Sequence, residues 1–275
     1  MSIKPEDYLE PTCPFCVDTY QKDRPVHRID LCRMMEKLDE HLGRNDYAAA
    51  ERHLDFWLSE ARFNNDDQGA LSVLNELMGL HRKCGHEVQA MEAVREGLSL
   101  LDSLDLEGTV TAGTTFVNAA TVYKSFGKAA DALPLYRKAQ EIYEQHLSQE
   151  DGRLGGLYNN MALALVDEKQ YGEARRYYEK ALAIMANVRY GQLEQAITYL
   201  NLADLATAEL GLLESEDQVN NYLDRAEALL ETPEVPRNGY YAFVCEKCAP
   251  TFRYFGRFAY ADELKQRSDA IYERS

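Results

Sequence analysis

Two Cys-x-x-Cys pairs are the residues of this 275-residue sequence whose spacing suggests chemistry most directly. One pair is Cys13 and Cys16, near the start, and the other is Cys245 and Cys248, near the end. Thiol redox chemistry at such a pair needs the first cysteine at the start of a helix within a strand-helix-strand unit, and the sequence contains no such unit. The four thiolates together have a spacing that a zinc ion could use, and such a site would close the N-terminal segment onto the end of the chain.

Other catalytic patterns are missing from the sequence. The histidines show no metal-ligand spacing such as a helical His-Glu-x-x-His. There is no glycine-rich phosphate loop and no Gly-x-Ser-x-Gly nucleophile motif. We therefore predict that the protein is not an enzyme and needs no cofactor. The six histidines are His27, His41, His53, His81, His86 and His146.

Three asparagines recur at a nearly constant spacing. Asn118, Asn160 and Asn201 are separated by 42 and then 41 residues. A side-chain amide offers both a donor and an acceptor, so it can pair with the N–H and C=O of a peptide backbone without reading the side chain. These amides could therefore hold an extended peptide. The alternative is that they cap or bridge helices locally.

Such a spacing requires elements that repeat, and the sequence repeats with this period. In residues 157–184, apolar and small residues recur every three to four positions on both sides of a polar break, which predicts an antiparallel pair of helices. One such hairpin cannot bury its apolar face alone and needs copies on either side. An alanine marks each copy at intervals of 42 residues, at Ala48, Ala90, Ala132 and Ala174. The turn five residues earlier is Gly43, Gly85, Gly127 and then Lys169.

The unit has a recognisable set of residues. In its best example these are Asn160, Met161, Ala162, Lys169, Tyr171, Ala174, Tyr178, Ala181 and Leu182; the preceding unit has Asn118, Ala119, Ala120, Tyr123, Gly127, Ala132, Tyr136 and Ala139. This pattern resembles the tetratricopeptide family, in particular the long-repeat type found in kinesin light chains. The resemblance covers about Arg28 to Arg274 and is weakest at both ends. It implies an all-α solenoid of about six helical hairpins, wound as a right-handed superhelix, with the asparagines facing its concave groove.

The array divides into six predicted hairpins after an N-terminal arm. Four prolines exclude a long helix in residues 1–26, while its aromatic residues favour an arm that docks on the array in residues 27–275. In the repeat register, Cys245 and Cys248 lie on a packing face, which favours core thiols over zinc ligands. The predicted hairpins are residues 28–63, 67–104, 109–147, 153–188, 191–231 and 238–274.

The same register predicts the neighbours of the three asparagines on the groove face. Arg82 and Lys124 could hold a carboxylate of the ligand, or could simply balance an acidic protein. The predicted peptide-binding residues are Asn118, Asn160, Asn201, Asn159, Lys124, Thr121, Asp204 and Arg82.

Composition restricts the partners. The net charge of −16 argues against nucleic acids and anionic membranes. No run of about 18 apolar residues is present, and the N-terminus lacks the apolar core of a signal peptide. We therefore expect a cytoplasmic protein with reduced thiols that binds a peptide or protein segment. The alternatives are a structural subunit of a larger assembly, which would use the arm or the convex face, and a metal- or redox-linked protein that would use the cysteine pairs.

Overall fold

The computed structural model describes residues 27–274, in which all regular structure is α-helical. The twelve helices of this part pair as six antiparallel hairpins, so the predicted all-α fold is confirmed. The predicted arm, residues 1–26, lies outside the described residues. The helices are α1 Leu31–Gly43, α2 Tyr47–Phe63, α3 Asp67–Cys84, α4 Glu87–Ser103, α5 Val110–Ser125, α6 Ala129–His146, α7 Gly152–Asp167, α8 Tyr171–Met185, α9 Gln192–Leu210, α10 Glu216–Leu230, α11 Gly239–Tyr254 and α12 Phe258–Tyr272.

Side chains at the helix starts explain where many helices begin. A carboxylate, hydroxyl or amide oxygen accepts a hydrogen bond from a backbone N–H of the first turn, which would otherwise lack a partner. Asp66 is the most buried of these caps, and it binds both Gly69 N and Ile29 N at 2.9 Å. It therefore ties the segment before α1 to the start of α3. The capping residues are Asp30, Asp46, Asp66, Thr109, Asp151 and Asn238.

The predicted register is wrong in the first hairpin by two residues. Gly43 ends α1, and the left-handed turn residue is Asn45, with a φ of 54°. Ala48 is accordingly exposed, while Ala50 is fully buried. The cause is the short connection from α2 to α3, residues 64–66, compared with residues 104–109 between α4 and α5. The left-handed residues of the six hairpin turns are Asn45, Gly85, Gly127, Lys169, Gly211 and Gly256.

The array curves because its two layers pack differently. From α3 onward, each first helix of a hairpin packs on the first helix of the next, but no comparable packing joins consecutive second helices. The first helices therefore line the shorter, concave side. Glycines allow the two helices of a hairpin to approach closely, because a Cβ on Gly113 would lie 2.6 Å from Tyr143 and one on Gly155 would lie 2.7 Å from Met185.

The last hairpin returns towards the first. After residues 231–238, α11 packs mainly on α9 rather than on α10. The Lys83 ammonium at the end of α3 lies 4.8 Å from the ring centre of Tyr47 and 5.4 Å from that of Phe243 in α11. This lysine therefore connects the two ends of the array. In residues 27–274, no helix combines the length and the apolar character needed to cross a membrane.

Candidate functional site

The concave face contains two amide pairs that bridge neighbouring hairpins. In the first, Asn118 Nδ2 donates to Asn75 Oδ1 at 2.9 Å, across the contact of α5 with α3. Asn75 is held in place because its own Nδ2 donates to Leu71 O at 2.9 Å and to Thr115 Oγ1 at 3.0 Å. Its orientation is therefore fixed by both helices.

The second pair repeats this arrangement two hairpins later. Asn201 Nδ2 donates to Asn159 Oδ1 at 2.9 Å, and the Thr198 hydroxyl donates to the same oxygen at 3.2 Å. Asn159 is buried, so it is a structural link between α7 and α9. Asn75 and Asn159 are 84 residues apart, which is two periods of 42, and occupy equivalent positions. The amino groups of Asn118 and Asn201 thus bridge helices, as the alternative interpretation of the sequence has it.

Asn160 differs from the other two members of the predicted ladder. It is half-buried in α7, and its side chain makes no hydrogen bond to any part of residues 27–274. Both the donor and the acceptor of this amide are therefore available. Asn118 and Asn201 keep only their amide oxygens without a partner in the same part of the chain.

Thr121 and Lys124 both have partners within the array. The Thr121 hydroxyl donates to Val117 O at 2.7 Å, which leaves its oxygen to accept from the Tyr136 hydroxyl at 3.0 Å. Burial raises the pKa of Tyr136 to about 12, so this phenol stays protonated. Lys124 Nζ lies 3.5 Å from Asp167 Oδ2, which joins α5 to α7.

One hairpin later, the corresponding phenol has no partner. Tyr178 is the equivalent of Tyr136, but Leu163 takes the place of Thr121. The Tyr178 hydroxyl is fully buried and makes no hydrogen bond within residues 27–274. Asp204 lies close to it on α9 and remains accessible to water, yet surrounding helices displace enough solvent to raise the pKa of its carboxyl to about 6.

Arg82 and Glu76 add charge to the concave face of the second hairpin. Burial lowers the pKa of the Arg82 guanidinium, which lies near Tyr136 and makes no ion pair in residues 27–274. Burial and, less strongly, the charge of Asp39 raise the pKa of Glu76, which occupies the position equivalent to Asn118. The concave face thus has an unpaired cation on α3, amides on α5, α7 and α9, and an unpaired carboxylate on α9.

The cysteine pairs lie apart from this surface. Cys245 and Cys248 are buried in the apolar core of the last three hairpin helices and their neighbours. Burial raises the pKa of the Cys245 thiol, which favours the protonated form over the thiolate that binds metals. Cys13 and Cys16, the other half of the alternative zinc site, lie outside the described residues.

Comparison with known proteins agrees with the repeat architecture. The model of the tetratricopeptide repeat family matches residues 113–151 and 155–188, which are the hairpins α5–α6 and α7–α8. These hairpins are therefore tetratricopeptide repeats. No curated protein matches the chain in sequence.

Solved structures extend the likeness to most of the array. A Podosopora anserina protein, described as a kinesin light chain with nearly identical TPR-like repeats, is 18% identical, with a TM-score of 0.51 over 73% of this chain and 94% of its own. BtubC from P. vanneervenii is 19% identical, with a TM-score of 0.54 over 83% of this chain and 90% of its own. At these identities the likeness concerns the fold, which is that of the kinesin light chain-like repeat proteins.

Proposed function

We propose that this protein is a non-catalytic scaffold that holds an extended peptide or protein segment along its concave face, with Asn160 as the central contact. The tetratricopeptide fold is typical of protein-binding scaffolds. The observation that carries the proposal for this chain is the free amide of Asn160 between two amides that are already oriented by their neighbours.

The three amides have complementary roles in this proposal. Asn160 can donate to a peptide C=O and accept from a peptide N–H, while Asn118 and Asn201 each offer an oriented oxygen that accepts from an N–H. Packed helices lie about 9 Å apart, and an extended chain rises by about 3.3 Å per residue. The amides would therefore contact the backbone at about every third residue of the ligand.

The unpaired charges give the ligand a direction. Arg82 would attract a carboxylate at the second hairpin, and Asp204 would attract a basic group at the fifth. A segment with an acidic residue at one end and a basic residue at the other would satisfy both. Because these groups are surrounded by protein, each pairing would gain more than an exposed surface pair does.

The setting follows from charge and composition. A net charge of −16 would repel the phosphates of nucleic acids and anionic lipids, so we expect a peptide or protein segment as the partner. We place the protein in the cytoplasm, as the sequence led us to expect.

A selection experiment tests the proposal. A displayed library of 12-residue peptides is selected on the protein, and the affinities of the selected peptides are measured for the parent and for Asn160→Ala. We expect binding to weaken by about tenfold, because the ligand loses two backbone hydrogen bonds at a partly desolvated site. Asn221→Ala, which removes an exposed amide from the second helix α10, should leave the affinity unchanged.

Two outcomes would overturn the proposal. One is a library that yields no binding peptide. The other is an affinity that is the same in Asn160→Ala and in the parent, which would move the contact to another surface, such as the convex face or the arm. Circular dichroism should show unchanged helicity in both variants, because neither asparagine is in the core.

A further inference from the structure

Three potential metal ligands meet where the first hairpin packs on the second. Glu51 lies on α2, His81 in the last turn of α3, and His86 at the start of α4. One ligand atom from each lies within 4.8 Å of the other two. The three residues come from three different elements, so no linear motif marks them in the sequence.

The distances suit coordination better than hydrogen bonding. Glu51 Oε1 lies 3.6 Å from His81 Nδ1 and 3.9 Å from His86 Nδ1. Hydrogen bonds from nitrogen to oxygen are shorter, at about 2.7–3.2 Å. A tetrahedral ion with bonds of about 2.0–2.1 Å separates its ligand atoms by about 3.4 Å. A contraction of a few tenths of an ångström would therefore bring these atoms to a bonding geometry.

His81 supplies an independent indication. Its side chain is only 8% exposed, and its Nδ1 makes no hydrogen bond to any part of residues 27–274. Buried ring nitrogens normally have a partner, because losing the hydrogen bond to water without replacement destabilises the fold. This nitrogen is directed at Glu51 and at the space between the three groups, where an ion would satisfy it.

We propose that Glu51, His81 and His86 form a binding site for a divalent transition metal, with Zn²⁺ as the best match. Two imidazoles and one carboxylate are a common three-ligand set for zinc, with water in the fourth position. Calcium and magnesium prefer oxygen ligands alone, so they fit this set poorly. The ion would fasten α2 of the first hairpin to α3 and α4 of the second. The inference does not depend on the proposed peptide binding.

The test uses the full chain with Cys13 and Cys16 both changed to serine, so that this pair cannot bind the metal. Equilibrium dialysis against Zn²⁺ measures stoichiometry and affinity, and thermal unfolding with and without Zn²⁺ measures the linkage to folding. The informative variants are Glu51→Gln and His86→Asn, because both side chains are partly exposed and their replacement leaves no buried charge. His146→Asn, an exposed histidine on α6, is the matched control.

We expect one bound zinc ion per chain and a rise in Tm with Zn²⁺ in the parent and in His146→Asn. Glu51→Gln and His86→Asn should each weaken binding by about tenfold or more and abolish the rise in Tm. Bound Co²⁺ should show the visible absorption of a four-coordinate ion in the parent and lose it in both variants. Zinc binding that is absent from the parent, or that has the same affinity in both variants, would overturn the inference.

Discussion

Tyr136 and Tyr178 show how one substitution changes the environment of the same residue in successive repeats. Both rings fill the same place in their hairpins, and both are almost fully buried. Only Tyr136 has a hydroxyl partner, because Thr121 lies beside it, whereas Leu163 lies beside Tyr178. The two phenols therefore contribute to stability with opposite signs.

Replacing each tyrosine by phenylalanine tests this difference. Tyr136→Phe should lower the free energy of unfolding by about 1 kcal/mol, because it removes a hydrogen bond. Tyr178→Phe should raise it by about 1 kcal/mol, because it removes a buried hydroxyl without a partner. Urea unfolding monitored by circular dichroism measures both values. A loss of stability in Tyr178→Phe comparable to that in Tyr136→Phe would show that the Tyr178 hydroxyl has a partner in solution.

Asp204 should make stability depend on pH. Its folded pKa of about 6 lies above the ordinary value of 3.8, so the folded state binds the proton more tightly. Its effect on stability is therefore least favourable above about pH 6 and improves as the pH falls towards 4. Asp204→Asn should raise Tm at pH 7.5 by more than at pH 4.5. Asp102→Asn, an exposed aspartate on α4, serves as the control, and an equal effect at both pH values in Asp204→Asn would contradict the prediction.

At the scale of the helices, the cap of α3 does more than the cap of α2. Asp46 is exposed and binds only Ala49 N, whereas Asp66 is buried and also binds Ile29 N. Asp46→Ala should cost about 1 kcal/mol of stability, as a lost cap does. Asp66→Ala should cost about 2–4 kcal/mol, because it also leaves a buried N–H without a partner. Equal losses in chemical unfolding would mean that the bond to Ile29 contributes nothing.

The helices could be predicted from the sequence because their signals are local. Apolar spacing, glycines at the turns and a constant period of 42 residues each act within one hairpin and together define the solenoid. The shift of the first unit could not be predicted, because the short connection before Asp66 changes the spacing without changing the residue types. Nothing in the sequence separates an exposed Ala48 from a buried Ala50.

The contacts between hairpins were harder to predict. Asn75 and Asn159 lie one residue before the predicted ladder, and their pairing with Asn118 and Asn201 depends on how adjacent first helices rotate against each other. Sequence spacing identifies a helix face to within about one residue, which is too coarse to separate a bridging amide from a free one. The meeting of His81 with Glu51 depends in the same way on packing between hairpins.

At the scale of the molecule, the two ends of the array are joined through side chains. Lys83 lies between Tyr47 and Phe243, and α3 and α11 make little other contact. An exposed cation–π contact contributes only about 0.5–1 kcal/mol. The closed form should therefore open readily, which would let an extended segment reach the concave face.

Small-angle scattering can measure this closure. Lys83→Ala should increase the radius of gyration, because nothing else of comparable strength links the ends. Lys180→Ala is the matched control, since Lys180 also lies over two rings, Tyr158 and Tyr177, but these are near it in the middle of the array. An unchanged radius of gyration in Lys83→Ala would show that helix packing alone sets the curvature.

The central claim is that a peptide lies on the concave face against Asn160. The most direct measurement is a titration of ¹⁵N-labelled protein with a selected 12-residue peptide, in which the side-chain amide signals are followed by NMR and that of Asn160 is identified by its loss in Asn160→Asp. The account predicts that the Asn160 amide signal shifts on binding while the Asn221 signal, from the outer helix α10, stays in place. An Asn160 signal that stays in place, with shifts confined to residues of the second helices, would contradict the account.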